Sequence, residues 1–385
     1  MLIEAQGKLD ELLDRIAGEA AIAVDCEMDS MYAYRTSLCL VQLGWKGGEE
    51  LIDGLCPLRW EALGKLFADP AVTKVFHGGE NDIGLMRQRW GLEFANVFDT
   101  MAASQVLGHA GVGLAALLER HFGIAVSKKF QKADWRVRPL PAAQEEYARV
   151  DVRHLLPLRS LLQAELEQLG RLEEAQSEFR RIARARAEER AFDPDAWARL
   201  RGARELPADK RATLAEVFVA RDAIAKALDR APYRVLQESV LIDLAIQQPA
   251  TMAALRRIPG VSHSLPAEHL ETLLAAIERG RAVTDRPLPR RPREGGDRFG
   301  AGPLPPEQIV IFDALRAWRQ RRAEQRGVDV SRVATNALLS AIVRSSPATL
   351  DDLAHVNGME DWRLREYGGE ILKVLMGERH QDGRA

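Results

Sequence analysis

Hydrophobic and polar positions alternate in two distinct rhythms along this chain. In its first part, short apolar or β-branched runs recur at 21–25 (AIAVD), 36–44 (TSLCLVQLG), 49–53 (EELID) and 72–76 (VTKVF). Such runs predict strands. Between and after them, 57–69, 81–91 and 113–123 carry apolar residues at helical spacing, and the last two close on glycine stops. The first 20 residues have an acidic amphipathic helix pattern. Strands followed by helices over this stretch predict a mixed α/β domain. From 141 onward the pattern is almost wholly helical, and 147–191 reads as one long helical segment bent at Pro157.

The C-terminal half contains a repeat. Residues 220–260, shifted by 98 positions, lie without a gap on residues 318–358. Arg221 meets Arg319, Ala225 meets Ala323, Leu241 meets Leu339, Leu255 meets Leu353 and Gly260 meets Gly358. The tripeptide PAT stands at 249–251 and again at 347–349, and the register continues to Leu273–Leu274 against Ile371–Leu372. These are two copies of one small helical module. Between them, 281–306 is rich in Pro, Gly and Arg, the composition of a flexible linker.

Composition narrows the function classes. A length of 385 residues suggests two or three domains at roughly 150 residues each. With 46% hydrophobic and 29% charged residues, the chain can bury cores and remain soluble. No apolar run approaches the ~20 residues of a membrane span, and the N-terminus is not a secretory pattern. Cys26, Cys39 and Cys56 are too few and oddly numbered for a disulfide framework, and no CxxC pair offers a metal site. Free thiols of this kind suit a reducing cytoplasm. The net charge of −2 does not announce a nucleic-acid binder, so any such binding must come from local patches.

The candidate chemistry begins where the first strand ends. In AAIAVDCEMDS (20–30), Asp25 and Glu27 stand at i and i+2 and so project from one face of the strand. Two adjacent carboxylates repel unless a cation or proton intervenes. Alone, the pair also suits a solvated strand end. In VFHGGENDIGLM, a strand and a Gly turn lead into a helix with Asp82 in its first turn. Alone, that acid suits an ordinary helix start. In EYARVDV, Tyr147 and Asp151 share one helix face at i and i+4. Together these segments supply four carboxylates and a phenol. Four hard oxygen ligands suit two divalent ions, Mg²⁺ or Mn²⁺. Two ions roughly 4 Å apart activate a water and stabilise an in-line phosphoryl displacement. Tyr147, neutral near pH 7, would orient the water.

DCE, HGGENDI, FDT and YARVD stand in the order and spacing of the DEDD exonucleases, and YxxxD marks the branch with a tyrosine in the third motif. The stretch KKFQKADWRVRPLPAAQEEYARVDV (128–152) resembles the ribonuclease D family, and the repeats resemble HRDC modules. The resemblance spans about residues 3 to 376. It implies an α/β ribonuclease-H-like exonuclease domain followed by two all-α HRDC modules. It also implies metal-dependent 3′→5′ exoribonuclease action that trims 3′ extensions of tRNA precursors and other stable RNAs and releases 5′-mononucleotides. Asp25, Glu27, Asp82 and Asp151 match the four acids, and Tyr147 matches the tyrosine. Cys26 stands where the family often has Thr. The run after DxE is less aromatic than in many bacterial relatives. The expected division is exonuclease 1–170, helical connector 171–206, first HRDC 207–281, linker 282–305 and second HRDC 306–378. The expected partner is RNA, in the cytoplasm, with no membrane and no obligatory protein partner. The alternatives are a 3′→5′ DNA exonuclease and a non-catalytic RNA-binding protein.

Further residues carry weaker signals. His77 and Asn81 flank the Gly78–Gly79 turn and serve either turn chemistry or contact with the terminal nucleotide. Met28 packs either in the core or on the last base. Asp99 is expected to cap the helix 100–107. The loop 127–138 carries Lys128, Lys129, Lys132, Arg136 and Arg138 around Trp135. That mixture fits a single-strand channel. Anchoring in the core is the favoured role for Trp135 itself. The charged stretch 179–190 reads as a solvated connector. Neither repeat has a catalytic cluster; Tyr233 in the first and the strongly basic 318–327 segment in the second are the candidates for touching RNA.

Overall fold

A computed structural model describes residues 2–187, 191–261, 265–289 and 304–382. The N-terminal part alternates strands and helices: β1 (Leu2–Ile3), α1 (Gln6–Ile16), β2 (Ala21–Met28), β3 (Leu38–Trp45), β4 (Gly48–Asp53), α2 (Glu61–Ala68), β5 (Thr73–Phe76), α3 (Glu80–Trp90), β6 (Val97–Asp99), α4 (Thr100–Leu107), α5 (Leu114–Phe122), α6 (Ala142–Arg153), α7 (Leu155–Gln168) and α8 (Leu172–Ala183). The six strands form one sheet in the order β1-β4-β3-β2-β5-β6. β2, β3 and β4 run antiparallel, whereas β5 and β6 lie parallel to β2, and β1 is parallel to β4.

The four expected strands are β2 to β5. β3 is buried along seven of its eight residues, as an apolar run covered on both faces should be. β1 and β6, of two and three residues, are too short to carry a periodicity. For the same reason, the first 20 residues hold a strand before the expected helix. α3 and α5 end at Gly91 and Gly123 in left-handed conformation.

Two expectations need correction. The long segment 147–191 is not one helix bent at Pro157. It breaks at His154, between α6 and α7, and again before α8. Pro157 sits in the first turn of α7, where its missing N–H costs nothing. Nor is 179–190 a solvated connector as far as it is described, through residue 187. α8 is amphipathic, and its Phe179, Ile182 and Ala183 join the core of the sheet domain. Phe179 lies against Phe98 of β6, with ring centroids 4.6 Å apart. α8 therefore covers the edge strand.

The repeats are two helical units, each with its own core. The first comprises α9 (Ala208–Ala227), α10 (Pro232–Val235), α11 (Glu238–Gln247), α12 (Met252–Arg256) and α13 (Ala267–Arg281). The second comprises α14 (Pro306–Arg326), α15 (Val330–Val333), α16 (Asn336–Ser345), α17 (Leu350–Ala354) and α18 (Asp361–Asp382). The correspondence reaches single atoms. Arg221 donates to the Leu236 carbonyl and Arg319 to the Ala334 carbonyl. Thr251 and Thr349 cap α12 and α17, and Gln248 and Ser346 both turn left-handed after α11 and α16. Most of the expected linker, 290–303, lies outside the described residues.

The basic loop is stapled to the sheet by one buried ion pair. Arg138 donates to both carboxylate oxygens of Asp53 at 2.5 and 2.8 Å, and to the carbonyls of Trp135 and Cys39. Asp53 is 2% exposed. Arg138→Ala would leave that carboxylate buried without its partner, which costs about 3–5 kcal/mol. Urea denaturation should show a loss of that order, and Arg136→Ala a much smaller one, because Arg136 bonds only the partly exposed Asp134.

Candidate active site

Asp25 and Glu27 stand on one face at the C-terminal end of β2, opposite Gln42 and Leu40 of β3. The ladder register slips between Glu27 and Met28, so the strand bulges directly after the second acid. β5, one strand away, ends at Phe76 and turns through His77–Gly79 into α3. Asp82 in the first turn of α3 is buried. The third approach is α6, which crosses β2, β3 and β4 and presents Tyr147 and Asp151 on one face. Gly44 of β3 permits this crossing. A Cβ there would lie 3.1 Å from the Val152 carbonyl and 3.3 Å from Ala23.

The result is a cluster of acids. One oxygen from each of Asp25, Glu27 and Asp151 lies within 4.8 Å of the other two. Asp82 sits outside that tight group but acts on it electrostatically. Burial, and then the charges of Asp82, Asp151 and Glu27, hold the Asp25 carboxyl well above its ordinary range. Burial, Asp151 and Asp82 push Glu27 to about 9. Burial raises Asp151 to about 7, and burial with the neighbouring Asp99 raises Asp82 to about 7. Among the described residues, no lysine or arginine pulls these values back down. Oxygen donors that repel one another and lack a protein cation fit hard divalent ions. Tyr147 is also raised, by burial and by the charges of Asp151, Glu27 and Asp25. It stays a neutral phenol and a hydrogen-bond donor.

The surrounding residues sort by contact. His77 shares a 2.9 Å hydrogen bond between Nδ1 and Thr100 Oγ1, while the Thr100 hydroxyl donates to the Phe76 carbonyl. The imidazole therefore carries its proton on Nδ1 and keeps an acceptor at Nε2. Burial lowers its pKa to about 4. Asp99 caps α4 through the Ala102 N–H, as expected, and also accepts from the Gly79 N–H at 2.8 Å. It thereby fixes the turn ahead of Asp82. Asn81 is exposed, and Met28 is half-buried against the sheet core.

The basic loop divides. Lys128, Lys129 and Lys132 are exposed, whereas Arg136 is paired with Asp134 and Arg138 with Asp53. Trp135 is a correction to the nucleic-acid candidates. It is 1% exposed, in a small core with Cys39, Leu40, Leu51, Leu140 and Ala148. A ring covered on both faces has no surface to offer a base, which leaves the anchoring role.

Sequence reasoning missed two polar neighbours. Gln42 is wholly buried opposite Asp25, and neither amide atom has a protein partner. A lone glutamine inside an apolar strand was its signal. Gln131 lies close enough to Tyr147 to act on its phenol, lowering a pKa that burial raises, and Phe130 and Trp135 place their rings 5.8 and 6.0 Å from the Tyr147 ring. Nothing in the loop's spacing marked Gln131.

Comparison with known proteins agrees with this geometry. A family model described as 3′-5′ exonuclease matches residues 1–167, and the HRDC domain model matches 210–277 and 308–375. Ribonuclease D of Acidiphilium cryptum is 31% identical over 98% of this chain and 93% of its own length. Ribonuclease D of Jannaschia sp. is 31% identical over 94% and 92%. The crystal structure of Escherichia coli RNase D superposes with a TM-score of 0.60 at 25% identity, covering 98% of both chains. The catalytic core of RRP6 from Trypanosoma brucei gives 0.68 at 27% identity over 73% of this chain and 79% of that one.

Mixed sheet, clustered acids and paired helical modules thus define a 3′→5′ exonuclease joined to two HRDC domains. The chain belongs to the ribonuclease D family and is an exoribonuclease that works with divalent metal ions.

The raised acids fix a pH dependence. Their unfolded pKa values lie near ~4, so between that and about 7 to 9 the folded chain holds protons the unfolded chain has lost. Metal-free stability therefore falls as pH rises through this window, and a divalent cation offsets the loss by binding the ionised acids. The Tm in EDTA should drop between pH 5.5 and 8.5, and the Tm gain with Mn²⁺ should grow over the same range. A gain independent of pH would contradict a carboxylate site.

Proposed function

We propose that Asp25, Glu27, Asp82 and Asp151 hold two divalent cations, Mg²⁺ or Mn²⁺, and that the enzyme trims 3′ extensions of tRNA precursors and other stable RNAs. The observation that carries this reading is the cluster of three acids within 4.8 Å, with Tyr147 one helical turn from Asp151. When bound, two such cations supply an activated water and neutralise the charge that develops on an in-line phosphoryl displacement. Tyr147 donates its phenolic hydrogen to that water and orients it. No basic side chain is needed to take the proton, which suits a site where His77 is neutral and already bonded at Nδ1. His77, Asn81 and Met28 border the position of the 3′-terminal nucleotide, and exposed Lys128 and Lys129 attract the backbone that follows it.

The Escherichia coli relative is described as an exoribonuclease involved in structured RNA processing, which supports stable RNA as the substrate class here. The two HRDC modules seat the folded body of such an RNA near the site. In our proposed division, the exonuclease unit extends beyond 170 to take in α8, because Phe179 and Ile182 pack in its core. Cys26, Cys39 and Cys56 are free thiols, which supports a reducing, cytoplasmic setting. Among the described residues no helix is long and apolar enough to cross a membrane.

The test is a tRNA with a 3′ trailer, labelled at its 5′ end, incubated with Mg²⁺, Mn²⁺ or EDTA. A metal-dependent ladder of progressive shortening, with 5′-mononucleotides released, is the expected result. A deoxyribo-oligonucleotide cut as fast as the ribo-oligonucleotide of the same sequence would contradict RNA selectivity. Asp25→Asn and Asp151→Asn should abolish activity with folding intact, and retained activity in either would sink the ligand assignment. Tyr147→Phe should slow turnover by about 10²-fold, the lower range for one positioned proton-handling group.

A further inference from the structure

Near the acids, the first HRDC module touches the catalytic domain at the loop 29–37 that follows β2. That loop is closed at its base by Asp29, whose carboxylate accepts from the Ser37 N–H at 2.6 Å. Its tip is held by the module. The Met31 carbonyl accepts from Tyr233 Oη at 2.5 Å and from Arg234 Nε at 2.6 Å. The Tyr32 carbonyl accepts from the Ala231 N–H at 2.9 Å, and Tyr34 Oη donates to Asp222 Oδ2 at 2.9 Å. The Arg234 guanidinium lies 3.7 Å over the Tyr32 ring. At that distance the cation–π contact is close enough to fix the plane of the ring.

Tyr32 passes the restraint onward. Its hydroxyl donates to the Lys132 carbonyl at 2.8 Å, in the middle of the basic loop. The neighbours of Lys132 in that loop are the residues that cradle Tyr147. The Phe130 and Trp135 rings pack 5.8 and 6.0 Å from its ring, and Gln131 lies close enough to act on its phenol. A continuous line of contacts therefore runs from Arg234 through Tyr32 and the 130–135 loop to Tyr147. The second module offers an internal comparison. Arg332, at the position equivalent to Arg234, also faces the catalytic domain, but pairs with Glu178 of α8 at 3.1 Å. The same short helix docks in both copies, and in the first copy it reaches the loop that follows the acid-bearing strand.

We propose that Arg234 and Tyr233 of the first HRDC module are positioning residues for catalysis, holding Tyr147 in place through Tyr32 and the Phe130–Trp135 loop. The inference rests on the reading of Tyr147 as the group that orients water. It gives the module a role in turnover itself, apart from any contact it makes with RNA. Misplacing a positioned group by about 1 Å is enough to lower the rate by up to 10²-fold.

The experiment is steady-state kinetics with Mg²⁺ on a short single-stranded oligoribonucleotide, too small to span the module. The full-length wild type is compared with Arg234→Ala, Arg234→Lys, Tyr32→Phe, Tyr147→Phe and the double variant Arg234→Ala/Tyr147→Phe, each checked for an unchanged Tm. Arg234→Ala and Tyr32→Phe should lower kcat by about tenfold with KM nearly constant, and Arg234→Lys should recover part of it. In the Tyr147→Phe background, Arg234→Ala should change kcat little, because both act through one group. A rise in KM at constant kcat would make Arg234 an RNA contact and overturn the proposal. Full additivity of Arg234→Ala with Tyr147→Phe would overturn it too. Unchanged kinetics in Tyr147→Phe alone would remove the water-orienting reading itself, a failure distinguishable from a normal Arg234→Ala beside a slow Tyr147→Phe.

Discussion

Mutual repulsion among clustered, partly buried carboxylates is the constraint on which the rest of this structure depends. Asp25, Glu27, Asp82 and Asp151 come from a strand, a helix start and a crossing helix, and no protein cation among the described residues offsets them. Such a group is tolerated because the surrounding scaffold is otherwise committed. β2 is gripped on both sides by β3 and β5, and α6 can approach only because Gly44 leaves room beneath Val152. Either protons or a divalent cation relieves that repulsion, which is why such a cluster suits hard divalent ions. The turn before Asp82 shows the same economy: Asp99 serves one oxygen to the cap of α4 and the other to Gly79.

The helical modules attach to opposite parts of this scaffold with different chemistry. The second meets the acidic face of α8. Arg326 reaches the buried Glu174 at 2.5 Å, Arg332 pairs with Glu178, Arg365 with Glu173, and Ser177 bonds Glu360. Arg326 also bonds Tyr367 in its own core, so the interface and the module's interior share one side chain. The first module instead takes hold of backbone carbonyls and an aromatic ring beside the catalytic strand. Duplication thus produced two copies of one core with different edges. Interior residues such as Leu241 and Leu339, Arg221 and Arg319, match at a shift of 98. The docking arginines Arg234 and Arg332 also match but meet different partners, and beside them Tyr233 stands where the second copy has Ser331.

The basic loop shows why composition misleads about contact. Five cations and a tryptophan in twelve residues read as a nucleic-acid surface. In the fold, two of the cations are bound to acids and the tryptophan is core. The loop's remaining lysines face solvent, and its interior side supports Tyr147. One segment exposes its lysines on one face and packs against Tyr147 on the other.

The sequence by itself determined the parts that depend on local rules. Short apolar runs and helical spacing marked four of six strands and the flanking helices, and identical residues at a fixed shift marked the duplication. The i, i+2 and i, i+4 spacings put Asp25 with Glu27 and Tyr147 with Asp151 on common faces. Tertiary structure alone decided what depends on distant segments. It broke the long helix at His154, assigned α8 to the sheet edge and buried Trp135. It also set Gln42 beside Asp25 and joined Arg234 to Tyr32. Spacing along a chain fixes which side chains share a face, because backbone geometry is local. Which faces meet is set by packing and charge between elements far apart in sequence, and no local period records that.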